Sequence, residues 1–329
     1  MPRVRATFSS FVPPNMGGLS LSEYLSKRFP YLDEAGWRER IARGDVRVEG
    51  KEASPELLLK NGDKVSSEVE HDEPELPEEV EIVRAEGEIP AFGKSALVPV
   101  SRTGEVTWNT FVQQARRATG NPEIRLLHRL DRETSGLILC ARDLDAAKRH
   151  QANLKNLLLR KFYLAVVFGT PEWTALRCET PLREATEHPA RAIMLPDPAG
   201  KPCSTDFRLL ESGGGRSLVL AEIHTGRKHQ IRAHLASLGH PVVGDKIYVD
   251  DGASYVKMAT GRLEPADLER LGAPHHLLHS WKALVRLPGS EGPELLESRL
   301  FSPAFREALA RWPDWRERAE KALRDLGVG

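Results

Sequence analysis

Residues 128 to 141 read HRLDRETSGLILCA, and this stretch decides how the rest of the chain is interpreted. One carboxylate, Asp131, lies between Arg129 and Arg132, and an apolar run follows from Leu137 to Ala141. A short, continuously apolar run predicts a strand buried on both faces, so we expect Asp131 at the mouth of a core strand. Because nearby cations lower a carboxyl pKa, the arginines are expected to keep Asp131 ionised as a nucleophile or base. A surface ion pair beside a tight turn is the alternative.

The whole string closely resembles the catalytic motif of the RluA-type pseudouridine synthases, H-R-L-D-x-x-T-S-G followed by an apolar strand. The resemblance implies that Asp131 is the catalytic residue that isomerises uridine within RNA. It also implies that Arg129 helps to extrude the target base and fills its place, as in other base-flipping enzymes. His128 and Thr134, in the same motif, are then substrate-binding candidates.

The segment KFYLAVVFG, residues 161 to 169, first alternates and then becomes wholly apolar, which predicts a strand with Lys161 and Tyr163 on one face. On these grounds alone Tyr163 is a core aromatic residue and Lys161 is a surface lysine. The segment is also similar to the family's K-x-Y-x-A element. That similarity implies that Tyr163 packs on the flipped uracil and is a candidate for removing its carbon-5 proton. Lys161 would then lie near the phosphate or near Tyr163.

The segment IHTGRKHQIRAHL, residues 223 to 235, predicts a strand, a glycine turn and a short basic helix. His229 and His234 are five residues apart and point in different directions on a helix, which argues against a shared metal. Together with GHPVVGDKIY at residues 239 to 248, this segment resembles the family's R-x-H-Q-I-R-x-H and G-x-P-x-x-G-D motifs.

This second resemblance implies that Arg232 pairs with Asp131, for which its planar, permanently charged guanidinium is suited, and that Ile231 lines the uracil pocket. The residues implied to face the RNA are Arg227, Lys228 and His229, with Gln230 as a further substrate-binding candidate. One loop departs from the family pattern. Where the family has Lys-Pro-x-Gly, this chain has the sequence KSAL at residues 94 to 97, which puts the local loop and the choice of target in question.

The first 70 residues are predicted to form a separate domain. Two amphipathic helices, a hairpin at residues 44 to 51 and a turn at residues 61 to 65 follow one another in the order of the S4-like RNA-binding domain, which they resemble. The candidate phosphate contacts in this module are Arg38, Arg40, Arg43 and Lys51. A solvated helix face is the alternative.

Residues 71 to 82 are acidic, contain two prolines and predict an extended linker. Residues 83 to 329 then form the catalytic domain, for which the resemblance implies an α+β fold with a mixed, largely antiparallel sheet. Local patterns predict a helix from Asp143 to Leu157 and a hairpin turn at the glycine triplet 213 to 215. The triplet lacks the Lys-Ser/Thr of a phosphate loop, so no nucleotide cofactor is expected.

The charges of the chain balance, with 47 Lys and Arg against 47 Asp and Glu. Residues 125 to 161 nevertheless carry nine basic residues and four acids, which places positive charge where a phosphate backbone would lie. Three widely spaced cysteines support neither a disulfide framework nor a zinc cluster. No apolar stretch has the length of a signal-peptide core or a membrane span. We expect a cytoplasmic monomer, and the family resemblance implies that it needs neither metal nor cofactor.

The resemblance thus implies an RNA pseudouridine synthase, with large-subunit ribosomal RNA preferred over tRNA as its substrate. One alternative is a non-catalytic RNA-binding or ribosome-assembly protein that keeps the fold. Another is a hydrolase of small molecules with an aspartate nucleophile. The joint presence of Asp131, Tyr163 and Arg232 argues against the first, and the basic helix and the RNA-type module argue against the second.

Overall fold

The computed structural model describes residues 3–30, 32–103, 106–190 and 193–328. They fall into two compact units. Unit 1 comprises Met1–Glu75 and Arg102–Trp108, and unit 2 comprises Leu76–Ser101 and Asn109–Gly329. The sequence does not indicate that residues 102–108, which lie beyond the predicted boundary at 71 to 82, pack with the first unit.

Unit 1 is a four-stranded antiparallel sheet covered by two helices. Its elements are β1 (Arg3–Phe11), α1 (Leu21–Arg28), α2 (Glu34–Ala42), β2 (Val46–Val48), β3 (Lys51–Glu52) and β4 (Lys64–Asp72), with the strand order β1-β4-β2-β3. Tyr24 and Trp37, one from each helix, are buried in its core. The two helices and the hairpin were predicted, whereas β1 was not, because its pairing with β4 is a contact between distant parts of the chain.

The acidic stretch at 71 to 82 is not a solvated linker along its whole length. Strand β4 continues to Asp72, and a strand of unit 2 begins at Val80. Between them, Glu73 is fully buried, and its Oε1 accepts hydrogen bonds of 2.6 Å from both the backbone amide and the hydroxyl of Thr107. A buried carboxylate needs such donors, and they come from a part of unit 1 that is distant in sequence.

Unit 2 contains the large sheet on which the site is built. Its elements are β5 (Val80–Arg84), β6 (Ala91–Lys94), α3 (Phe111–Thr119), β7 (Arg125–Leu126), β8 (Ser135–Ala141), α4 (Leu144–Gln151), α5 (Leu154–Leu157), β9 (Leu158–Phe168), β10 (Ala175–Cys178), β11 (Leu182–Glu184), β12 (Met194–Pro196), β13 (Thr205–Gly213), β14 (Arg216–Ile223), α6 (Gln230–Ser237), α7 (Ala253–Ala259), α8 (Pro265–Leu271), β15 (Leu278–Val285), β16 (Glu294–Glu297), α9 (Pro303–Leu309) and α10 (Trp315–Asp325).

The strand order of the main sheet is β10-β13-β14-β9-β15-β8-β6-β5, with β16 paired to β15 and β7 paired to β8. Among the strand pairs of the described residues, β8 with β15 is parallel and the others are antiparallel. The predicted α+β fold with a mixed, largely antiparallel sheet is therefore confirmed.

The sheet has a core on each face. On one face, Tyr163 of β9 lies in a cluster with Phe111 of α3 and Ile231 of α6. On the other face, Phe162 packs with the C-terminal helices, including Phe305 of α9. The alternation along β9 thus directs Tyr163 to the face that carries helix α6.

Strand β8 confirms the prediction for Leu137–Ala141 and begins two residues earlier, with every residue buried. Gly136 makes its pairing with β15 possible. A Cβ atom at this position would meet the carbonyl oxygen of Ser280, and the φ of Gly136 is 103°, a value that side chains rarely adopt. The loop that carries Asp131 therefore leads directly into the centre of the sheet.

Two other local predictions have definite outcomes. The helix predicted from Asp143 to Leu157 is broken at Ala152 and Asn153 into α4 and the short α5, although Asp143 does cap α4 by accepting a hydrogen bond from Ala146 N at 2.8 Å. The hairpin at the glycine triplet is confirmed by β13 and β14. The three cysteines are buried thiols. Over the described ranges, no helix is both long and apolar enough to cross a bilayer.

Candidate active site

Asp131 lies in the loop between β7 and β8, and 28% of its side chain is exposed. Its Oδ2 accepts a hydrogen bond of 2.9 Å from Nη1 of Arg232, which projects from α6 and is itself 5% exposed. The pairing that the family resemblance implied for these two residues is therefore present. The other carboxylate oxygen of Asp131 accepts no hydrogen bond from the residues that the structure describes, and the side chain is only partly covered.

Arg232 also binds a second carboxylate. Its Nε and Nη2 donate to the two oxygens of the fully buried Asp245, at 2.6 and 2.8 Å. Asp245 in turn accepts a hydrogen bond of 3.0 Å from the backbone amide of Ile247. A planar guanidinium held at two of its edges cannot rotate freely, so Asp245 fixes the direction in which Arg232 meets Asp131.

The pKa of the Asp131 carboxyl is lowered to about 2. Burial is the largest single influence and would raise this pKa, but the charges of Arg232, His229 and His276, together with the hydrogen bond from Arg232, outweigh it. Burial lowers the pKa of His229 to about 4 and places that of His276 well below its usual value, so both rings are neutral at pH 7. Arg232 is therefore the cation that keeps Asp131 ionised at neutral pH.

The predicted ionisation of Asp131 is thus supported, but the predicted cause was wrong. Arg129 is exposed and forms no ion pair with any residue that the structure describes. Arg132 turns away from Asp131 and donates from Nε to the carbonyl of Leu97 at 3.0 Å. Sequence neighbours in a tight turn point in different directions, and the charge partner of Asp131 comes from a distant helix instead.

The rest of the Asp131 loop is held by buried polar contacts. Thr134 N donates to the carbonyl of Asp131 at 3.2 Å, and the Thr134 hydroxyl lies 2.8 Å from Nε2 of His276. Glu133 accepts from Nζ of Lys246 at 2.8 Å and from the amide of His276 at 3.0 Å. Thr134, predicted to bind substrate, therefore serves the shape of the loop, because both its polar groups are already engaged.

Lys94 stabilises the same loop by hydrogen bonds to backbone carbonyls. It is fully buried, and its Nζ donates to the carbonyls of Ser95, Val98 and Arg132 at 2.8, 2.8 and 3.0 Å. Burial lowers the pKa of Lys94 to about 7, against the opposing attraction of Asp131. The loop that departs from the family pattern thus keeps its lysine, which joins it to the backbone beside Asp131.

Tyr163 and Ile231 lie in one hydrophobic cluster with Leu130 and Leu278, on the face of the sheet that carries Asp131. Burial raises the pKa of Tyr163 to about 12, the hydroxyl of Ser280 partly offsets this rise, and the charge of Asp131 adds to it. The phenol is therefore protonated at neutral pH. It can pack on a base or donate a hydrogen bond, whereas its predicted removal of the carbon-5 proton stays a prediction.

His229 faces Asp131 rather than a phosphate backbone. Its Nε2 lies 3.9 Å from Oδ2 of Asp131, and its Nδ1 lies 3.3 Å from the hydroxyl of Tyr248, whose ring meets the imidazole edge to face. The side chain is 9% exposed. The prediction that it faces the RNA backbone is not supported, because the ring is enclosed between the carboxylate and Tyr248.

Other predicted substrate contacts are engaged within the protein. The Nε2 atom of His128 accepts a hydrogen bond of 2.9 Å from the amide of Leu139 in β8. The amide group of Gln230 donates to Ser204 O and accepts from the hydroxyl of Thr225, at 2.9 and 2.7 Å. Both side chains therefore fix the fold near the site, and this geometry does not support direct substrate contacts for them.

Three cations that were predicted to contact RNA differ in how far their charges are already engaged by groups of the protein. Lys228 forms an ion pair with Glu184 of β11. Arg227 is exposed and donates from Nε to the carbonyl of Pro202 at 3.2 Å. Lys161 is partly buried, and burial together with the nearby charge of Lys155 lowers its pKa. It has no ion pair among the described residues. Lys161 and Arg227 therefore remain available for phosphates.

The candidate phosphate contacts of unit 1 are largely neutralised by acids. Arg38 pairs with Glu34 and Glu56, Arg43 pairs with Glu39, and both Arg40 and Arg43 approach Asp45. Lys51 is exposed and has no ion pair within the part of the chain that the structure describes. RNA binding by this module stays a prediction, and Lys51 is the least engaged of the four candidates.

The described residues offer one group of three possible metal ligands, Asp206, Glu222 and His224. Both carboxylates already bind arginines, since Arg177 donates to Asp206 at 2.6 and 2.8 Å and Arg160 donates to Glu222 at 2.6 and 2.7 Å. The geometry therefore describes an ion-pair network rather than a vacant ligand set.

Three supporting residues have roles that the sequence analysis missed. Asp245 and Lys246 are adjacent in the quoted GHPVVGDKIY segment, and they hold Arg232 and Glu133 respectively. His276 holds Thr134. The motif spacing drew attention to the first two, but no local signal indicates which distant side chain each one contacts.

Comparison with known proteins agrees with this site. Residues 91–237 match the family model described as RNA pseudouridylate synthase. The chain is 30% identical over 256 residues to ribosomal large subunit pseudouridine synthase C of Vibrio cholerae, covering 73% of this chain and 79% of that protein. It is 28% identical over 281 residues to an uncharacterized RNA pseudouridine synthase of Synechocystis, covering 83% and 94%.

Two further similarities extend the comparison. The mitochondrial tRNA pseudouridine(32) synthase of Saccharomyces cerevisiae is 30% identical over 251 residues, which is 74% of this chain and 54% of that protein. The solved structure of human RNA pseudouridylate synthase domain containing 4 has the same fold, with a TM-score of 0.54 and 24% identity over 70% of this chain and 92% of that chain.

The chain therefore belongs to the RNA pseudouridylate synthase family, of the RluA type that its motifs indicate. It is an RNA pseudouridine synthase, an enzyme that acts on RNA.

Proposed function

We propose that this synthase uses Asp131 as its catalytic residue on a uridine that is flipped out of structured RNA. The observation that carries the proposal is the carboxylate of Asp131, which is ionised, held by Arg232 and still 28% exposed. A carboxylate that is buried without a partner would be protonated, and a fully exposed one would have no fixed direction. Asp131 is neither buried without a partner nor fully exposed.

The proposed reaction is an isomerisation in which no atoms are gained or lost. Asp131 promotes cleavage of the bond between N1 of uracil and C1′ of the ribose. The released uracil turns within the pocket, and a new bond forms between its C5 and C1′. C5 then loses its proton and N1 gains one. Throughout these steps the protein contributes by holding the base in position and by keeping the Asp131 carboxylate charged and oriented.

The surrounding residues fit supporting roles in this reaction. Tyr163 lies in the same apolar cluster as Ile231 and offers a ring on which the uracil can pack. Arg129 follows directly on His128, is exposed and has no ion pair among the described residues, so it is free to enter the RNA when the base leaves. Arg232 keeps Asp131 ionised without occupying both of its oxygens.

We further propose large-subunit ribosomal RNA as the substrate. Its support is the similarity to the Vibrio cholerae protein named ribosomal large subunit pseudouridine synthase C, which extends over 79% of that protein. tRNA is the second candidate, favoured by the equally identical yeast protein named for a tRNA site, although this chain spans only 54% of it. We expect the protein to act as a cytoplasmic monomer.

The experiment that decides the target uses RNA that lacks its natural pseudouridines. Unmodified transcripts of large-subunit ribosomal RNA and bulk unmodified tRNA are incubated with the protein, and pseudouridine is then mapped chemically. We expect new pseudouridine at one or a few positions of the ribosomal RNA. Modification confined to tRNA would reassign the substrate, and no modification in either RNA would contradict the proposal.

A further inference from the structure

Leu97, in the loop that follows β6, has a left-handed backbone conformation with a φ of 70°. A bulky side chain is a genuine outlier in this conformation, which glycine, asparagine and aspartate adopt more readily. Strained backbone of this kind persists where the surrounding structure enforces it, and it concentrates at functional sites. His229, which faces Asp131, is another of the described non-glycine residues with a positive φ.

Core packing does not account for Leu97. Its neighbours Ala96 and Val98 are buried, but the Leu97 side chain is only half-buried. Among the described residues, it belongs to none of the hydrophobic clusters. An apolar side chain in a strained conformation normally gains stability from burial in return, and here that gain is incomplete.

The position of Leu97 is fixed relative to the Asp131 loop. Its carbonyl accepts the hydrogen bond of 3.0 Å from Nε of Arg132, the residue that follows Asp131. In addition, Nζ of Lys94 donates hydrogen bonds to the carbonyls of both Val98 and Arg132 and so links the two loops. Leu97 is therefore anchored on both sides next to the catalytic loop, with part of its apolar surface exposed.

We propose that Leu97 is an RNA contact that packs against a nucleobase next to the target uridine. This inference rests on the function proposed above and adds a residue that determines which sequence context is bound. Proteins that unstack bases commonly insert apolar side chains such as leucine between them. Exposed Arg132, which binds the carbonyl of Leu97, supplies positive charge for a phosphate, and Leu97 supplies an apolar surface for a base.

The rigid loop suits this task. A wedge must hold its position while the target base leaves the stack, and a flexible side chain on a mobile loop would lose conformational entropy on binding. The three hydrogen bonds of Lys94 and the bond from Arg132 supply that rigidity before RNA binds. The backbone strain at Leu97 thus accompanies an apolar side chain at a position whose left-handed conformation glycine would adopt without strain.

Two substitutions separate an RNA contact from a structural role. Leu97→Gly relieves the backbone strain and removes the side chain, whereas Leu97→Asn relieves the strain at nearly constant size but removes the apolar surface. Leu144→Asn is the control, since Leu144 is 48% exposed and begins α4. All three are made in an Asp131→Asn background, so that the affinity for labelled fragments of large-subunit ribosomal RNA is measured without turnover.

We expect both Leu97 variants to melt at or above the temperature of the parent protein and to bind the RNA roughly tenfold more weakly, as loss of one buried leucine contact implies. The control should bind like the parent. Unchanged affinity in Leu97→Gly and Leu97→Asn would overturn the proposal, and so would weaker binding that is accompanied by a loss of thermal stability. Because binding is measured apart from catalysis, this result stands even if the wild-type protein forms no pseudouridine.

Discussion

The Nη1 atom of Arg232 lies 2.9 Å from Oδ2 of Asp131, although 101 positions separate the two residues in the chain. The other edge of the same guanidinium grips Asp245 with two hydrogen bonds. One cation therefore stabilises two carboxylates, of which Asp245 is fully buried and Asp131 is 28% exposed. This division leaves Asp131 charged, oriented and only partly satisfied.

Replacing Arg232 by Lys should leave the charge but lose the geometry. A lysine ammonium cannot hold Asp245 with two parallel bonds and reach Asp131 as well, so we expect the single-turnover rate to fall by about 100-fold or more. Affinity for RNA should change little. Arg177→Lys is the matched control, because Arg177 also grips an aspartate, Asp206, with two bonds but is exposed. Equal rates in the Arg232→Lys variant and the wild type would mean that the bidentate grip is unnecessary.

The pH dependence should reveal the same relationship. The pKa of Asp131 is about 2 in the folded protein, below its ordinary value of 3.8, so its ionised form is favoured by folding. The stability it contributes is present above the unfolded pKa and is lost as the pH falls through about 2. At pH 5 to 8, therefore, protonation of Asp131 should not limit the wild-type rate.

Replacing Arg232 by Gln should change that pH profile. Without the guanidinium, burial is left to raise the pKa of Asp131, so an acidic fall in rate should move upward into the range where RNA is stable. The measurement is the single-turnover rate of the variant as a function of pH, compared with the wild type. A profile of unchanged shape, at whatever rate, would show that Arg232 does not control the protonation of Asp131.

Tyr163→Phe tests the ring separately from the hydroxyl. Burial raises the pKa of this phenol to about 12, so it is neutral before RNA binds, and a phenylalanine retains the surface on which a base packs. We expect RNA affinity near that of the wild type and a slower chemical step. Equilibrium binding and single-turnover kinetics distinguish the two effects. Weak binding with a normal chemical step would reverse the roles assigned to the ring and the hydroxyl.

Gly136→Ala should be among the most destabilising single changes in unit 2. The new methyl group would meet the backbone of Ser280, and the φ of 103° is itself unfavourable for alanine, so we expect a loss of more than about 3 kcal/mol of unfolding free energy. Gly215→Ala is the control. Its φ is 72° but nothing lies within 4 Å, so the loss should be about 1 kcal/mol. Thermal or urea unfolding of the two variants should differ accordingly.

The sequence was sufficient for the parts of the structure that depend on local pattern or on a shared motif. Strand β8 follows from its apolar run, and the pairing of Arg232 with Asp131 follows from the family resemblance. Local charge reasoning, by contrast, assigned the ionisation of Asp131 to Arg129 and Arg132. It failed because the direction of a side chain in a turn is set by the fold rather than by its sequence neighbours.

Contacts between distant residues account for most of what was missed. Asp245 lies within a recognised motif, but nothing near it in sequence shows that it binds Arg232. His128 and Gln230 belong to motifs as well, and yet their polar atoms are used within the protein. A motif therefore identified the neighbourhood of the site, and only the three-dimensional arrangement distinguished side chains that stay partly exposed from those whose polar atoms are engaged within the protein.

The most direct measurement of the central claim compares Asp131→Asn with the wild-type protein in single-turnover formation of pseudouridine on an RNA that the wild type modifies. The substitution removes the charge and keeps nearly the same shape, so Arg232 retains an oxygen to which it can donate. We expect the variant to fold, to bind the RNA with similar affinity and to form no detectable pseudouridine. Turnover by the folded variant at a rate near that of the wild type would contradict the account.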